Sequence, residues 1–275
     1  MEIFNTLLVH PLINVLLAIY QGLIYLHIPG ALGFAIILST VFIRLILYPF
    51  TVAQIKTSKK MLDIQPHINR LKEKHKGDPK TLQVAQMALF KEHNINPAAG
   101  CLPSLVQLVI LIFGFYPAIL LIIKPQSTMA VVNKIAYFDF LKLKHAWDTN
   151  FFGLSLAKTH ANLIHNYGYL ILLLPVVTAL LQFVQAKMMT AAKSDTPVIV
   201  EKPKENKAPD FSQTLQSQML YMTPFIIGVV SYQFAIGLSL YWNTFTIFGI
   251  IQQYLVQGIG GLADWIKILK KWKTN

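Results

Sequence analysis

The stretch that decides the fold runs from Ser39 to Phe50, "STVFIRLILYPF", where one arginine, Arg44, stands among apolar residues. Asp and Glu are absent from this stretch, so no sequence neighbour can neutralise the charge. An arginine at the centre of a membrane helix costs about 2.5–3.5 kcal/mol on insertion scales, and such residues mark functional sites by default. The sequence therefore raises the question of what Arg44 does inside an apolar segment.

The composition is that of a membrane protein. The chain has 275 residues, of which 54% are hydrophobic and 13% are charged, whereas soluble domains carry about 25% charged residues. A net charge of +12 indicates contact with anionic lipid headgroups or with nucleic acid, depending on where the charge lies. The single cysteine, Cys101, excludes an internal disulfide.

Five core spans are predicted, because about 20 apolar residues suffice to cross the bilayer. They cover residues 32–53, 101–123, 167–187, 219–236 and 238–257, and the last two are expected to join at Gly237. Residues 1–30 are predicted to form an extracytoplasmic interfacial helix ending in a turn at Pro29–Gly30, with a sixth span as the alternative. Residues 124–166 are expected to be a mixed loop, and residues 188–212 a flexible linker rich in Lys, Glu and Pro.

The distribution of basic residues predicts the orientation of the chain. Nine Lys or Arg residues fall in 54–99, five in 187–217 and four in the tail, whereas 124–166 holds five and the N-terminal segment none. The positive-inside rule then places the N-terminus outside and the C-terminus in the cytoplasm. An additional N-terminal span would instead place both ends inside.

Residues 54–96 are polar and predict a cytoplasmic helical hairpin. Gly77-Asp78-Pro79 is typical of a turn between two helices, and Pro66 is expected to kink or restart the first helix. Apolar residues spaced by 3, 4 and 3 form a narrow seam for one partner helix: Met61, Ile64, Ile68 and Leu71. The second helix can supply a facing seam from Leu82, Ala85 and Leu89. The hairpin is interpreted as either a solvated connector or a docking arm.

The tail, residues 258–275, predicts a basic amphipathic helix. Its apolar stripe consists of Leu262, Trp265, Ile266, Leu269 and Trp272. Three interpretations of the tail's lysines are open. They are an ordinary signal of membrane topology, they belong to a helix that lies on the membrane surface, or they bind the phosphates of ribosomal RNA.

The surroundings of Arg44 have to be polar but uncharged, because none of the five predicted spans contains Asp or Glu. Water, hydroxyls, amides, carbonyls or lipid phosphate must therefore solvate the guanidinium, which predicts a wet cavity or groove among the helices. Most polar residues in such spans serve as interhelical hydrogen-bonding groups. The candidates here are Gln107, Thr178, Gln182, Gln185, Ser231, Gln233, Ser239, Tyr241, Trp242, Asn243 and Thr246.

Catalytic motifs are absent from the sequence. No Gly is followed by Lys, which excludes a Walker A loop, and there is no HExxH. His160 and His165 have no clear ligand partners, and no Ser/His/Asp cluster indicates a hydrolase. We therefore predict no catalytic residues, no metal and no cofactor, and a protein that is not an enzyme.

The combined motifs resemble the YidC/Oxa/Alb family of membrane protein insertases. The specific blocks are Arg-x-x-x-Tyr-Pro at Arg44, and Asn-Pro followed by Gly-Cys-x-Pro at Asn96 to Pro103. The remaining matches are "MLDIQPHINRLKEKHKGDPK", "NFFGLSLA", "LQSQMLYMTPFI" and "GLSLYWNTFTIFGIIQQYLV". They extend over about residues 10 to 257, and the short segments at both ends fit the short bacterial type.

The resemblance implies an all-α polytopic membrane protein with five core helices, residues 31–257, around a hydrophilic groove. The groove arginine corresponds to Arg44, and Gln182 and Trp242 map to further groove positions. The implied partners are nascent membrane proteins and membrane lipids, with the ribosome and the Sec translocon as further candidates, and no DNA. The implied location is a bacterial plasma membrane. A channel or small-anion transporter using Arg44 is the alternative, and an assembly factor for other membrane subunits is a third hypothesis.

Overall fold

The structure is a computed structural model, and it describes most of the chain. The described residues are 2–75, 77–96, 109, 113–114, 116–123, 128–190 and 211–273. The chain divides into two compact units. Unit 1 comprises Met1–Leu47, Leu105–Gln182 and Pro224–Phe248, and unit 2 comprises Tyr48–Ser104, Phe183–Thr223 and Gly249–Asn275. The predicted second span and the 188–212 linker lie largely outside the described residues.

The N-terminal segment is helical from its start. It runs through α1 (Glu2–Phe4), a π-helical turn (Asn5–Val9) and α2 (His10–Tyr25), and then turns before α3 (Ala31–Ile46). The turn is predicted correctly, and Gly30 has a φ of 70° there, a conformation that glycine adopts without strain. One face of α2 is buried with α3 in the core of unit 1. By length and composition Glu2–Tyr25 could cross a membrane, so both interpretations of this segment stay predictions.

The predicted span over 32–53 is not one continuous helix in the structure. The helix breaks at Leu47, and α4 (Tyr48–Asp63) begins immediately afterwards. Pro49 has no N–H and cannot bond the carbonyl of Leu45, which explains the end of α3 at this point. Together α3 and α4 meet the criteria for one broken span, beside the continuous candidates Glu2–Tyr25 and His160–Met188.

The predicted loop over 124–166 has regular structure of its own. After α7 (Tyr116–Ile123) come α8 (Thr128–Ile135), a 3₁₀ turn (Asp139–Leu141) and a hairpin of β1 (Asn150–Phe151) and β2 (Leu154–Ser155). The hairpin is an exception to the all-α prediction, although the fold is otherwise mostly helical as expected. Two-residue strands give no alternating pattern from which the sequence could predict them.

The hairpin and the residues after it, called here the 149–160 segment, connect two parts of unit 1. Phe151 packs against Gly30 and Gly33, where a side chain would collide with its ring, and against Phe34, with ring centroids 5.2 Å apart. At the other end, the carbonyls of Leu156 and Lys158 accept hydrogen bonds of 2.9 and 3.0 Å from the N–H groups of Gly237 and Ile236.

The last three predicted spans differ from the observed elements in their bounds. The region of the third predicted span, 167–187, contains a 3₁₀ stretch (Gly168–Leu172) and α10 (Leu173–Met188), and α9 (His160–Tyr167) precedes them. The fourth and fifth are α11 (Phe211–Gln233) and α12 (Ile236–Gln257).

The predicted joint between the fourth and fifth spans is also displaced. It lies at Phe234–Ala235, so its prediction at Gly237 is wrong. Gly237 belongs to the first turn of α12, where an added Cβ would lie 3.2 Å from the carbonyl oxygen of Leu156. The glycine therefore serves close packing rather than the turn.

In unit 2 the polar segment of residues 54–96 has the predicted helix breaks. Pro66 begins a new helix, α5 (Gln65–Lys74), and α6 (Pro79–Glu92) follows the turn at Gly77. The first helix is longer than predicted, since α4 already begins at Tyr48.

The tail is helical, as predicted, from Leu262 to Lys273 (α13). The turn before α13 is packed against the end of α10. The N–H of Gly261 donates to the carbonyl of Thr190 at 2.8 Å, and a Cβ at Gly260 would collide with the carbonyl of Met188. The ring of Trp265 lies 5.4 Å from that of Phe183.

Candidate functional site

Arg44 lies in the last turn of α3 and is only 3% exposed. Its Nη2 donates a hydrogen bond of 2.7 Å to the backbone carbonyl of Phe245, and its Cζ lies 3.5 Å from the centroid of the Phe245 ring. A carbonyl oxygen has two lone pairs, so it can accept from a side chain while remaining part of a helix. Both contacts fit the prediction that uncharged groups solvate this guanidinium.

The side chain of Gln182, on α10, contacts Thr246, the residue that follows Phe245 in α12. Its Nε2 donates a hydrogen bond of 2.9 Å to the hydroxyl of Thr246. That hydroxyl in turn donates to the carbonyl of Trp242 at 2.8 Å, and Thr246 is only 1% exposed. The chain of hydrogen bonds therefore runs from α10 to the backbone of Trp242.

The structure brings the three predicted groove residues to one turn of α12, residues 241–246. Arg44 contacts Phe245, Gln182 contacts Thr246, and Trp242 belongs to the turn itself. The Trp242 side chain is half-buried and packs against the core of unit 1. Residues far apart in sequence thus share one small region of unit 1.

A small enclosed space lies beside the Tyr241 side chain. Its volume is about 10 Å³, and it is lined mainly by apolar residues of α2, α3 and α7 together with Ser39, Thr40 and Tyr241. That volume is near the minimum needed for one water molecule. The hydroxyls of Ser39 and Thr40 donate to the carbonyl of Ile36. This space is much smaller than a groove that accepts a peptide, so the wide wet groove stays a prediction.

Comparison with known proteins identifies the family. The sequence profile described as "60Kd inner membrane protein" matches residues 23–260, which is most of the chain. The chain belongs to the 60Kd inner membrane protein family. The match includes every residue of the 241–246 turn as well as Arg44 and Gln182.

Relatives in this family carry names that state a function. The chain is 32% identical over 258 residues to membrane protein insertase YidC of Oceanobacillus iheyensis, covering 92% of this chain and 83% of the relative. It is 33% identical over 231 residues to membrane protein insertase MisCA of Bacillus subtilis, covering 82% and 70%. It is 30% identical over 231 residues to membrane protein insertase YidC of Fusobacterium nucleatum, covering 84% and 88%.

A small apolar cluster holds the hairpin of α5 and α6. Ile64, Ile68 and Ile95 are buried there, and the residues packed against them are Met61, Leu89 and Phe90. Three of the four predicted seam residues are thus in contact with the cluster. Leu71 is half-buried and lies outside it. Of the predicted facing seam, only Leu89 takes part.

Asp78 caps the second helix of this hairpin. Its carboxylate accepts from the hydroxyl of Thr81 at 2.5 Å and from the backbone N–H of Thr81 at 3.1 Å. These hydrogen bonds, that of the hydroxyl first, hold the pKa of the Asp78 carboxyl below its ordinary value. The cap explains why α6 begins directly after the turn.

Phe245 is the residue of the candidate site that the sequence did not predict. Carbonyls were among the expected partners of Arg44, but the residues named as candidates were polar side chains, whereas Phe245 contributes a backbone carbonyl and an aromatic face. Its position four residues after Tyr241 and three after Trp242 is the available signal, since such spacing places residues on adjoining parts of one helix face. Among the residues that the structure describes, no group of three or more His, Cys, Asp or Glu side chains could hold a metal ion.

Proposed function

We propose that this chain is a membrane protein insertase that receives polar segments of nascent membrane proteins beside Arg44 and releases their hydrophobic helices into the bilayer. The observation that carries the proposal is a buried arginine whose contacts on α12 include a carbonyl and an aromatic ring. The matches to relatives named membrane protein insertase, along most of the chain, support the same function.

Arg44 can exchange its intramolecular contacts for contacts with a client. Hydrogen bonds between a guanidinium and a carboxylate are roughly twice as strong as bonds between neutral groups, and they are often bidentate. An acidic group on the translocating tail of a client would therefore replace the carbonyl and ring of Phe245. Gln182 and Trp242 border the same turn and are proposed to line the groove that the tail enters.

The insertion proceeds without ATP in this proposal, because the hydrophobic client segment supplies the free energy. At about −0.3 to −0.6 kcal/mol for each strongly apolar residue, twenty residues provide at most roughly 6–12 kcal/mol. That amount offsets the transfer of a short tail with few charges. Clients should therefore have short translocated regions.

We propose the following roles for the other segments of the chain. Five core helices enclose the groove, the hairpin of residues 54–96 and the basic tail dock partners, and the tail also binds lipid. The ribosome and the Sec translocon are candidate partners. The protein lies in the plasma membrane of a bacterium, with its N-terminus outside and its C-terminus in the cytoplasm, and it catalyses no covalent reaction.

The test is insertion by purified protein in liposomes. A short single-span client with an acidic N-terminal tail is added, and protection of that tail from external protease is measured. Wild-type protein should protect the tail, protein-free liposomes should not, and Arg44→Ala should protect much less. Equal protection in liposomes with and without the wild-type protein would contradict the insertase function.

A further inference from the structure

Phe245 supplies two of the contacts that Arg44 makes with α12. The carbonyl oxygen lies 2.7 Å from Nη2, and the ring centroid lies 3.5 Å from Cζ. A cation over an aromatic face is attracted by about 0.5–1 kcal/mol at exposed sites and by about 2 kcal/mol or more where water is excluded. Because Arg44 is only 3% exposed, the attraction between its guanidinium and the Phe245 ring should lie toward the upper end of this range.

A client that binds Arg44 must first displace Phe245. A carboxylate can do so because its attraction for a guanidinium exceeds that of a carbonyl and a ring. A neutral amide or hydroxyl offers a hydrogen bond no stronger than the one from the Phe245 carbonyl, and it leaves the loss of the ring contact uncompensated. Displacing the ring costs the same for every tail, and a carboxylate can offset this cost whereas an uncharged polar group cannot.

We propose that Phe245 is a specificity-determining residue: its ring holds Arg44 against α12 and so sets how much negative charge a client tail needs. This inference rests on the insertase function proposed above and concerns the same site. Two neighbouring residues of α12, Trp242 and Thr246, make other hydrogen bonds. The carbonyl of Trp242 accepts from Thr246, and Thr246 bonds Gln182 rather than Arg44.

The first test compares two clients that differ only in tail charge, one with Asp and the other with Asn at the same positions. Wild-type protein in liposomes should insert the Asp client better. Phe245→Leu keeps the backbone carbonyl and an apolar side chain but removes the ring. It should raise insertion of the Asn client. At client concentrations where the Asp client is already fully inserted, it should therefore lower the Asp-to-Asn ratio, by up to roughly 2- to 30-fold for a contact of this kind.

Two control variants separate specificity from folding. Phe245→Tyr keeps an aromatic face and should keep the wild-type ratio. In the Arg44→Ala background, Phe245→Leu should leave the ratio unchanged, since the ring would then have no cation to hold. A ratio that Phe245→Leu leaves at the wild-type value would overturn the inference, and so would an equal change in the Arg44→Ala background.

A second test measures the contact between Arg44 and the Phe245 ring without an insertion assay. The chain has two arginines, and Arg70 on α5 is exposed. Modification by phenylglyoxal in detergent micelles, followed by mass spectrometry, therefore reports Arg44 with Arg70 as the internal reference. The rate at Arg44 relative to Arg70 should rise in Phe245→Leu and stay low in Phe245→Tyr.

The two readouts distinguish failure of this inference from failure of the insertase function. If neither client is inserted by the wild-type protein, the proposed function fails, whatever the modification rates. If both clients are inserted but the ratio and the Arg44 rate are unaffected by Phe245→Leu, only the specificity role of Phe245 fails.

Discussion

At the scale of single residues, the arrangement around Arg44 explains how an isolated charge is tolerated in an apolar region. The guanidinium reaches from α3 to the backbone and ring of Phe245, so its charge is compensated by dipoles and a π face. These groups are weaker partners than a carboxylate, which leaves the arginine ready to bind a more negative group.

Replacing Arg44 by lysine should preserve much of the insertion activity. An ammonium supplies charge and can donate to the Phe245 carbonyl, although it lacks the planar fork of the guanidinium. Arg44→Ala should reduce insertion of an acidic-tail client by at least about tenfold, the equivalent of losing roughly 1.5 kcal/mol from one charged hydrogen bond. Initial rates of protease protection in liposomes measure both variants. Similar losses in the two variants would show that fork geometry rather than charge is required.

Gln182→Leu should weaken the contact between α10 and α12. The Thr246 hydroxyl would keep its bond to Trp242 but lose the amide that donates to it. Interhelical hydrogen bonds in membranes contribute about 0.6 kcal/mol on average and up to about 2 kcal/mol. Thermal unfolding in detergent should show a small decrease, and Gln185→Leu, one turn further along α10, is the matched control. An equal decrease in both variants would contradict a specific role for the Gln182–Thr246 bond.

The kind of group that contacts Arg44 could be predicted from the sequence, but its position could not. The absence of acidic residues from the spans required uncharged partners for Arg44, and the structure supplies a carbonyl and a ring. Which carbonyl could not be predicted, because every residue carries one and only the packing of α3 against α12 selects Phe245. The Gln182–Thr246 bond was unpredictable for the same reason, since its partners are 64 residues apart.

At the scale of secondary-structure elements, the sequence predicted features that depend on neighbouring residues, such as turns, and failed for features that depend on distant residues. The turn at Gly77 and the restart at Pro66 follow from the fixed geometry of proline and the freedom of glycine, and both are present. The end of α3 at Ile46 was missed, although Pro49 marks it, because the apolar pattern continues across the break. The role of Gly237 was misassigned because its need for close packing depends on Leu156, 81 positions away in the sequence.

The cap of α6 should depend on pH. The folded chain lowers the pKa of Asp78 below its ordinary value, so the carboxylate stabilises the helix start above pH about 4, the ordinary range of an aspartate. That stabilisation should be lost as the pH falls through the lowered pKa.

Amide hydrogen exchange at Thr81 and Leu82 measures this effect. After correction for the intrinsic pH dependence of exchange, opening should increase at low pH in the wild-type protein. In Asp78→Asn, a cap without a titrating group, it should be independent of pH. The same pH dependence in both proteins would exclude Asp78 as its cause.

The 149–160 segment should stabilise unit 1 through Phe151. Its ring fills the space above Gly30 and Gly33 and packs edge-on against Phe34, so Phe151→Ala should destabilise the fold by about 1–3 kcal/mol. The adjacent Phe152 is 82% exposed, and Phe152→Ala is the matched control, expected to have little effect. Equilibrium unfolding in detergent compares the two variants, and equal destabilisation would contradict the proposed role of Phe151.

At the scale of the whole molecule, membership of the 60Kd inner membrane protein family connects the site to an activity. The predicted groove residues lie on three helices, α3, α10 and α12. These helices meet at the 241–246 turn. The basic segments of the sequence lie on the predicted cytoplasmic side, where nascent chains arrive. The proposal that a client tail enters this site from the cytoplasm, with α12 as one wall, builds on these contacts and on the predicted orientation.

Site-specific photocrosslinking of a translocating client tests this central claim most directly. A photoreactive residue is placed in the polar tail of a short acidic client, and the client is trapped during insertion into liposomes that contain the wild-type protein. Mass spectrometry should find the crosslinks on residues 241–246 of α12 and on α3 near Arg44, and Arg44→Ala should reduce them. Efficient insertion with crosslinks confined to other segments would contradict entry of the client tail at this site.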